Sequence, residues 1–357
     1  MTLLAQWSEC IASAAARCAA LDIRGGGTKQ FYGNEPRGEV FDTRGWQGIE
    51  GYEPSELVIT ARAGTPLTQI EAQLASRRQM LAFEPPHFGA HATLGGCVAA
   101  GLAGPRRAST GYAWGGVRDA VLGARLMDGR GRVLKFGGTV IKNVAGYDVA
   151  RLLAGSMGTL GVIVDVSLKV LPVPAAELTL RFECAEADAL RQLNSWGAQP
   201  LPLSASCWHE GLLQVRLSGA EPAVQASALV LGAEREPEAS ASGFWRDLRE
   251  QQLEYFAGDL PLWRFSVPTN APPLGLPGAQ LIEWGGALRW LRSDAPAEQM
   301  RARARQLGGH ATLFRAPSPR QQVFTALPPA LQAIHRRLKQ EFDPAGIFNP
   351  GRLYADI

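Results

Sequence analysis

Cysteine is scarce and unpaired in this chain: Cys10, Cys18, Cys97, Cys184 and Cys207 form an odd set with no C-x-x-C spacing. That excludes a disulfide framework and a Cys-ligated zinc or iron–sulfur site, and it fits a reducing cytoplasm. An excess of one charge is lacking too. The 36 basic and 33 acidic side chains leave a net charge of +3 with no Lys/Arg block, so nucleic acid is not indicated as a partner. No apolar run approaches the roughly 18 residues of a membrane span. The first basic residue is Arg17, so the start has no positive n-region of the kind a signal peptide carries. Any membrane association therefore comes through a partner. Two phosphate-loop signatures are missing as well. Gln30 stands where G-x-G-x-x-G would need its third glycine, and the same loop has no G-K-[ST] ending.

The 357 residues, 46% of them hydrophobic and 19% charged, describe a soluble globular chain long enough for two domains or one with a large insertion. Residues Leu3 to Cys18 place apolar side chains at helical spacing. A short strand at Ala20–Ile23 then runs into Arg24-Gly25-Gly26-Gly27-Thr28. Glu56–Ala63 reads as a strand and Pro66–Arg77 as a helix with proline near its first position. Ala120–Met127 and Arg132–Phe136, joined by Asp128-Gly129-Arg130-Gly131, read as a hairpin, and Gly161–Leu171 as a further strand. Beyond Pro174 strands (Leu178–Phe182, Leu212–Leu217, Leu262–Val267) alternate with helices (Glu186–Trp196, Glu221–Leu231). Asn270–Gly278 is a Pro/Gly loop, no internal repeat is visible, and the last helix is Pro329–Phe342. The expected division is 1–175, 176–333 and a C-terminal segment 334–357.

Glycine is concentrated: 17 of the 40 fall between Gly89 and Gly161, which suits close approach of a ligand to the main chain. Arg24 to Thr28 after a strand is a candidate pyrophosphate cradle, because successive glycines can turn several N–H groups toward one anion. Taken alone, so short a run fits a flexible surface loop better. The run Ala92-Thr93-Leu94-Gly95-Gly96-Cys97-Val98-Ala99-Ala100-Gly101 opens a helix that can lie against a flat ligand or hold a phosphate, or pack tightly through small residues. Lys142-Asn143-Val144-Ala145-Gly146-Tyr147-Asp148 and Gly155-Ser156-Met157-Gly158-Thr159-Leu160-Gly161, entering Val162-Ile163, offer backbone to an adenine or ribose, or form an ordinary loop.

In order and interval these clusters, with Phe342-Asp343-Pro344 to Asn349-Pro350-Gly351-Arg352, resemble the FAD-linked 2-hydroxy-acid dehydrogenases of the vanillyl-alcohol oxidase superfamily. Arg118-Asp119 before Val121-Leu122-Gly123, and the Lys142 to Asp148 segment, narrow the likeness to the FAD-binding subunit family of bacterial glycolate oxidase. The resemblance covers residues 20 to 175 and the last 15 or so; the middle matches mainly in length. It implies an α+β fold: a PCMH-type FAD-binding domain of two α+β subdomains, with a second, smaller α/β cap.

Its implied FAD ligands are Arg24, Gly25, Gly26, Gly27 and Thr28 at the pyrophosphate, and Thr93, Leu94, Gly95, Gly96 and Gly101 along the pyrophosphate and flavin edge. Gly155, Ser156, Gly158, Thr159, Gly161, Val162 and Ile163 serve the adenosine end, with Asn349 and Arg352 at the flavin face. Residues 29 to 35 contain no histidine, so the flavin is expected to be non-covalent, with His87 and His91 in reach of it but more simply hydrogen-bonding loop residues. Implied partners are a catalytic flavin subunit, an iron–sulfur subunit and a small 2-hydroxy acid. The family's His-x-His-x-Gly-Asp-Gly-Asn segment is missing, so no catalytic base can be named; Arg106, Arg107, Arg118 and Arg352 are candidates for holding a substrate carboxylate. Three readings stay open: a subunit with an active flavin, a non-catalytic FAD carrier within the complex, and an independent oxidase.

Overall fold

The computed structural model describes residues 1–106, 115–139 and 147–357. Helix α1 (Leu3–Arg17) starts at Thr2, whose hydroxyl accepts from the Ala5 N–H, and ends where Cys18 turns left-handed (φ 51). Its buried Trp7, Ile11 and Ala14 share one face. Strands β1 (Leu21–Arg24) and β2 (Glu39–Asp42) pair in parallel. A second unit holds β3 (Ile49–Glu53), β4 (Val58–Arg62), α2 (Leu67–Ala75), the two-residue β5 (Gln79–Met80), α3 (Leu94–Ala100), the single turn α4 (Val117–Ala120), β6 (Val121–Met127), β7 (Val133–Gly137) and β8 (Val162–Lys169). Pro66 lies just outside α2, as its N-cap.

The sheet runs β3-β4-β8-β6-β7. Seven of the eight residues of β8 are buried because it is central and covered on both faces. Ile163, Val166 and Leu168 join the core under α2 and α3; Val162 and Val164 join the core under α1.

After β9 (Leu171–Pro172) come β10 (Ala176–Glu183), α5 (Glu186–Gly197), β11 (Leu203–His209), β12 (Leu212–Gly219), α6 (Glu221–Leu231), β13 (Glu234–Arg235) and α7 (Glu238–Arg249). Then follow β14 (Leu262–Ser266), β15 (Ala279–Glu283), β16 (Leu288–Arg292), α8 (Ala297–Gln306) and β17 (His310–Arg315). These strands form one sheet in the order β13-β10-β12-β11-β15-β16-β14-β17. Every pairing in it is antiparallel, so its strand and helix alternation does not build parallel crossovers. The order hides a structural repeat. In each half the four strands lie fourth, first, third, second, and the halves meet through β11 and β15, the second strand of each. In the first half α5 connects the first two strands. In the second half the Pro/Gly loop stands in that place, and this loss conceals the repeat in the sequence.

The last helix, α9 (Pro329–Phe342), returns the chain to the first unit. Leu21 N–H donates to the Ile347 carbonyl and Asn349 N–H to the Leu21 carbonyl, so the C-terminal segment lies beside β1 as an added parallel strand. Buried Asp343 binds Lys339 Nζ at 2.8 Å and accepts the N–H groups of Ile347 and Phe348. The turn after α9 is thereby fixed.

Candidate FAD site

The loop after β1 carries an unusual amount of free backbone. From Gly25 to Lys29 no amide N–H is donated to a carbonyl or side chain of any described residue. Part-buried N–H groups left open in this way can serve as an anion-binding nest. Two cations add to it. Arg24 pairs with buried Asp22, yet its Nε is buried without a partner. Lys29 reaches only the His87 carbonyl at 3.2 Å and the Thr28 hydroxyl at 3.4 Å, and burial pushes its ammonium below the usual lysine range.

Gly26 has a packing reason as well: a Cβ built on it would lie 1.5 Å from the His91 carbonyl oxygen. The loop can therefore press flat against the segment leading into α3. Thr93 caps that helix through Gly96 N–H, while Leu94 N–H donates to Thr65 and Gly95 N–H to the Ala63 carbonyl at 2.7 Å. With those amides in use, the start of α3 supplies a close-packed wall and not the phosphate donors suggested by the sequence.

Around the loop lies an open cleft. Of the sequence-predicted residues it is lined by Arg24, Gly25, Gly26, Gly27, Thr28, Thr93, Gly95, Gly96, Gly158, Gly161, Ile163, Asn349 and Arg352. Leu94, Gly101, Gly155, Ser156, Thr159 and Val162 do not line it. Leu94 is core and Val162 turns to the opposite face of the sheet. Gly101 ends α3 with its Cα side against Gly155 N, and the Thr159 hydroxyl donates to the Ser156 carbonyl. They support the wall from behind. The Lys142 to Gly146 part of the third cluster, and Arg107, lie outside the described residues.

Lining residues outside the quoted motifs include Asp22, Ile23, Lys29, Gln30, Thr43 and Ala63, while Ala99, Ala100 and Met157 lie within those motifs but were not among the residues named as ligands. Lys29 adjoins the glycine run and was within reach of sequence reasoning. Thr43 and Ala63 follow separate strands, β2 and β4, and no local pattern marks them.

Asn349 and Arg352 bind the polypeptide in this structure. Asn349 accepts from Ile23 N–H at 2.7 Å and donates to the Met157 carbonyl at 2.6 Å; a Cβ on Gly158 (φ +74) would collide with it. Arg352 donates to the carbonyls of Asn34, Gln30 and Tyr32. Burial, with nearby Arg320, pushes its guanidinium down to about 10. It is not free for a substrate carboxylate. Arg106 is not free either, held by Glu84 at 3.1 Å and Glu177 at 2.6 Å, and Arg118 is exposed away from the cleft. His87 bonds Glu71 at 3.2 Å, His91 is exposed, and the described lining contains no His, Cys or Tyr.

The comparisons with known proteins fit this geometry. Residues 4–137 match the family model described as FAD binding domain. Over 337 residues the chain is 50% identical to glycolate oxidase subunit GlcE of Escherichia coli (strain K12), covering 94% of this chain and 93% of that protein. The chain belongs to the GlcE family. It binds FAD, and the matched domain contains the glycine loop of the cleft. More distant likeness is confined to part of the chain: a D-lactate dehydrogenase of Archaeoglobus fulgidus is 36% identical over 42% of this chain and 33% of that protein. Among solved structures, alkyldihydroxyacetonephosphate synthase superposes with a TM-score of 0.66 at 16% identity, over 96% of this chain and 73% of that one, which establishes the shared PCMH-type fold alone. Among the described residues no helix is long and apolar enough to cross a membrane.

Between the two large sheets, two carboxyls are displaced in opposite directions. Burial pushes the Glu84 carboxyl up, but Arg216 and Arg106 outweigh it and hold it at about 2. Burial pushes the Glu283 carboxyl from the ordinary 4.5 up to about 7, against the Trp290 hydrogen bond and the Arg264 charge, with Glu84 reinforcing the rise. For Glu283 the folded state keeps a proton that the unfolded chain loses, so its contribution is full below pH 4.5 and is lost as pH rises to about 7, up to about 3 kcal/mol. Glu283→Gln, which can still accept from Trp290, is expected to flatten the fall in melting temperature between pH 5 and 8. Parallel curves for variant and wild type would show that Glu283 is already ionised at pH 5.

Proposed function

We propose that this chain is the FAD-binding subunit of a glycolate oxidase-type complex, which oxidises glycolate to glyoxylate and passes electrons to an iron–sulfur partner. The observation that carries this reading is the 50% identity to GlcE over nearly the full length of both proteins. The open amides of Gly25 to Lys29 support it, because they and the Arg24 and Lys29 cations suit a doubly charged pyrophosphate. Ile163 and Met157 offer apolar surface, and Asn349 keeps the Met157 turn against β1. Bound FAD supplies a two-electron acceptor; the chain contributes position, electrostatics and exclusion of water. No described cleft residue is a His, Cys or Tyr, which supports a non-covalent flavin.

A non-catalytic carrier role within the complex is favoured by one feature, the absence of the His-x-His-x-Gly-Asp-Gly-Asn segment. A missing general base costs about 10²–10⁴-fold in rate, a deficit that a catalytic flavin subunit would make good. The described residues also hold no cluster of three His, Cys, Asp or Glu side chains suited to a metal, which supports a separate iron–sulfur subunit.

The test is a purified chain examined alone and with its partners. A flavin absorption band, released by acid as free FAD, is expected, with little glycolate-dependent dye reduction until the complex is reconstituted. A colourless chain overturns the FAD reading, and full activity of the lone chain overturns the subunit reading.

A further inference from the structure

The glycine loop rests on the segment from His87 to His91. Lys29 Nζ donates to the His87 carbonyl at 3.2 Å, a Cβ on Gly89 would lie 3.2 Å from the Thr28 methyl carbon, and the His91 carbonyl lies against Gly26. That segment is itself held by a distant side chain. Phe88 is left-handed (φ 53), a conformation that a bulky residue keeps only where its surroundings impose it. Its N–H donates to Glu250 Oε2 at 2.8 Å, and the His87 N–H donates to the same oxygen at 3.1 Å. Glu250 caps the end of α7, and Arg249 holds its other oxygen at 2.8 Å.

The far end of the loop is held in the same manner. Gln30 lines the cleft and opens the turn that runs to Glu35. Arg320 donates through Nη2 to the Gln30 carbonyl at 3.1 Å and to Glu35 at 3.2 Å, and through Nε to the Gly33 carbonyl at 3.3 Å. Its main-chain N–H donates to the other Glu35 oxygen at 3.1 Å. Arg320 follows β17, and its stretch is tied to that strand: Leu313 N–H donates to the Val323 carbonyl, and the Thr325 hydroxyl to the Ala311 carbonyl. Glu250 and Arg320 therefore both reach the loop from the unit of the eight-stranded sheet. Both side chains are nearly buried.

We propose that Glu250 and Arg320 are positioning residues for FAD: they fix the two segments that bracket the glycine loop, so the eight-stranded sheet's unit sets how tightly the cofactor is held. The proposal rests on the reading of that loop as the pyrophosphate cradle. Neither residue lines the cleft, and each acts through the backbone it holds. The open amides of Gly25 to Lys29 serve one anion only while they share a focus. Freeing either bracketing segment lets the loop populate arrangements without that focus, and the apparent affinity falls by the fraction of chains that remain competent.

The test follows flavin release from the full FAD-loaded chain by fluorescence on dilution, which gives the FAD dissociation constant, and displacement of the flavin by ADP, which carries the diphosphate without the flavin. Glu250→Ala and Arg320→Met are each expected to raise the dissociation constants of FAD and of ADP together by about tenfold, the result of a competent fraction near one tenth. Arg320→Lys should recover part of the loss. Arg305→Met, at an exposed site on α8 of the same unit, should bind both as wild type does, and the melting temperature at saturating FAD checks folding. If Glu250→Ala does not fold, the two Arg320 variants decide. A lowered melting temperature with unchanged dissociation constants makes the role structural and overturns the proposal, as does an equal loss of affinity in Arg305→Met; the cradle reading then stands if Gly26→Ala still loses its flavin. A wild-type chain without flavin overturns both.

Discussion

Gly26→Ala should yield a chain that purifies without flavin. The methyl group has no accommodation: it would sit 1.5 Å from the His91 carbonyl oxygen and 2.4 Å from its carbon, atoms of a backbone that cannot swing away like a side chain. The loop has to lift off the segment before α3, and the row of open amides from Gly25 to Lys29 loses its common focus. A carboxylate at the same place, Gly26→Asp, adds charge repulsion toward the pyrophosphate, but the methyl suffices. Gly27→Ala is the matching control. Its nearest atoms to an added Cβ, Arg24 Cδ and Gln30 Cγ, are both 3.9 Å away, so the cost is that of a left-handed alanine (φ +71), about 1 kcal/mol. Absorbance of flavin per chain separates the two. Wild-type flavin content in Gly26→Ala would remove this loop from the site.

The second large effect is expected at Glu84. This residue accepts from Arg106 Nε at 3.1 Å and Arg216 Nη2 at 2.9 Å, and both arginines also approach Glu177. Glu84 and Arg106 belong to the unit built on the five-stranded sheet; Arg216 and Glu177 lie on β12 and β10 of the eight-stranded sheet. Arg216 is buried and lies over the Trp245 ring at 5.1 Å. Glu84→Gln leaves two nearly buried guanidinium groups sharing one carboxylate, which costs about 3–5 kcal/mol. The same pairing sets an acid limit. Because the Glu84 carboxyl is held at about 2, its contribution is full above pH 4.5 and is lost as pH falls toward 2. Thermal unfolding at pH 7 should show Glu84→Gln melting several degrees below wild type, and the two curves should converge near pH 2. An unchanged melting point would mean that the pairing contributes little to holding the two sheets together.

How much of this was legible in the sequence depends on the range of the interaction. Local signals served well. The spacing of Trp7, Ile11 and Ala14 gives α1, the hairpin around Asp128-Gly129 gives β6 and β7, and the predicted helices Glu221–Leu231 and Pro329–Phe342 are found at the same limits. The glycine loop was legible because it concentrates in five consecutive residues.

Features spread across distant segments were not legible. Glu84, Arg106 and Arg216 lie on three separate stretches, and nothing near any of them marks the others. The candidate arginines show the converse: Arg106 and Arg352 stand among the right motifs, but their donors are taken by Glu84 and Glu177, or by the carbonyls of residues 30 to 34. The repeat within the eight-stranded sheet was concealed by a missing helix.

The return of the C-terminal segment also fixes a sequence of events. Ile23 and Asn349, which close the wall of the cleft, are 326 positions apart, and the Gln30 to Asn34 turn is held by Arg352. While the chain is being made, the glycine loop emerges from the ribosome more than 300 residues before the segment that locks it. The wall of the pocket is therefore not closed until residues 349 to 352 have been made.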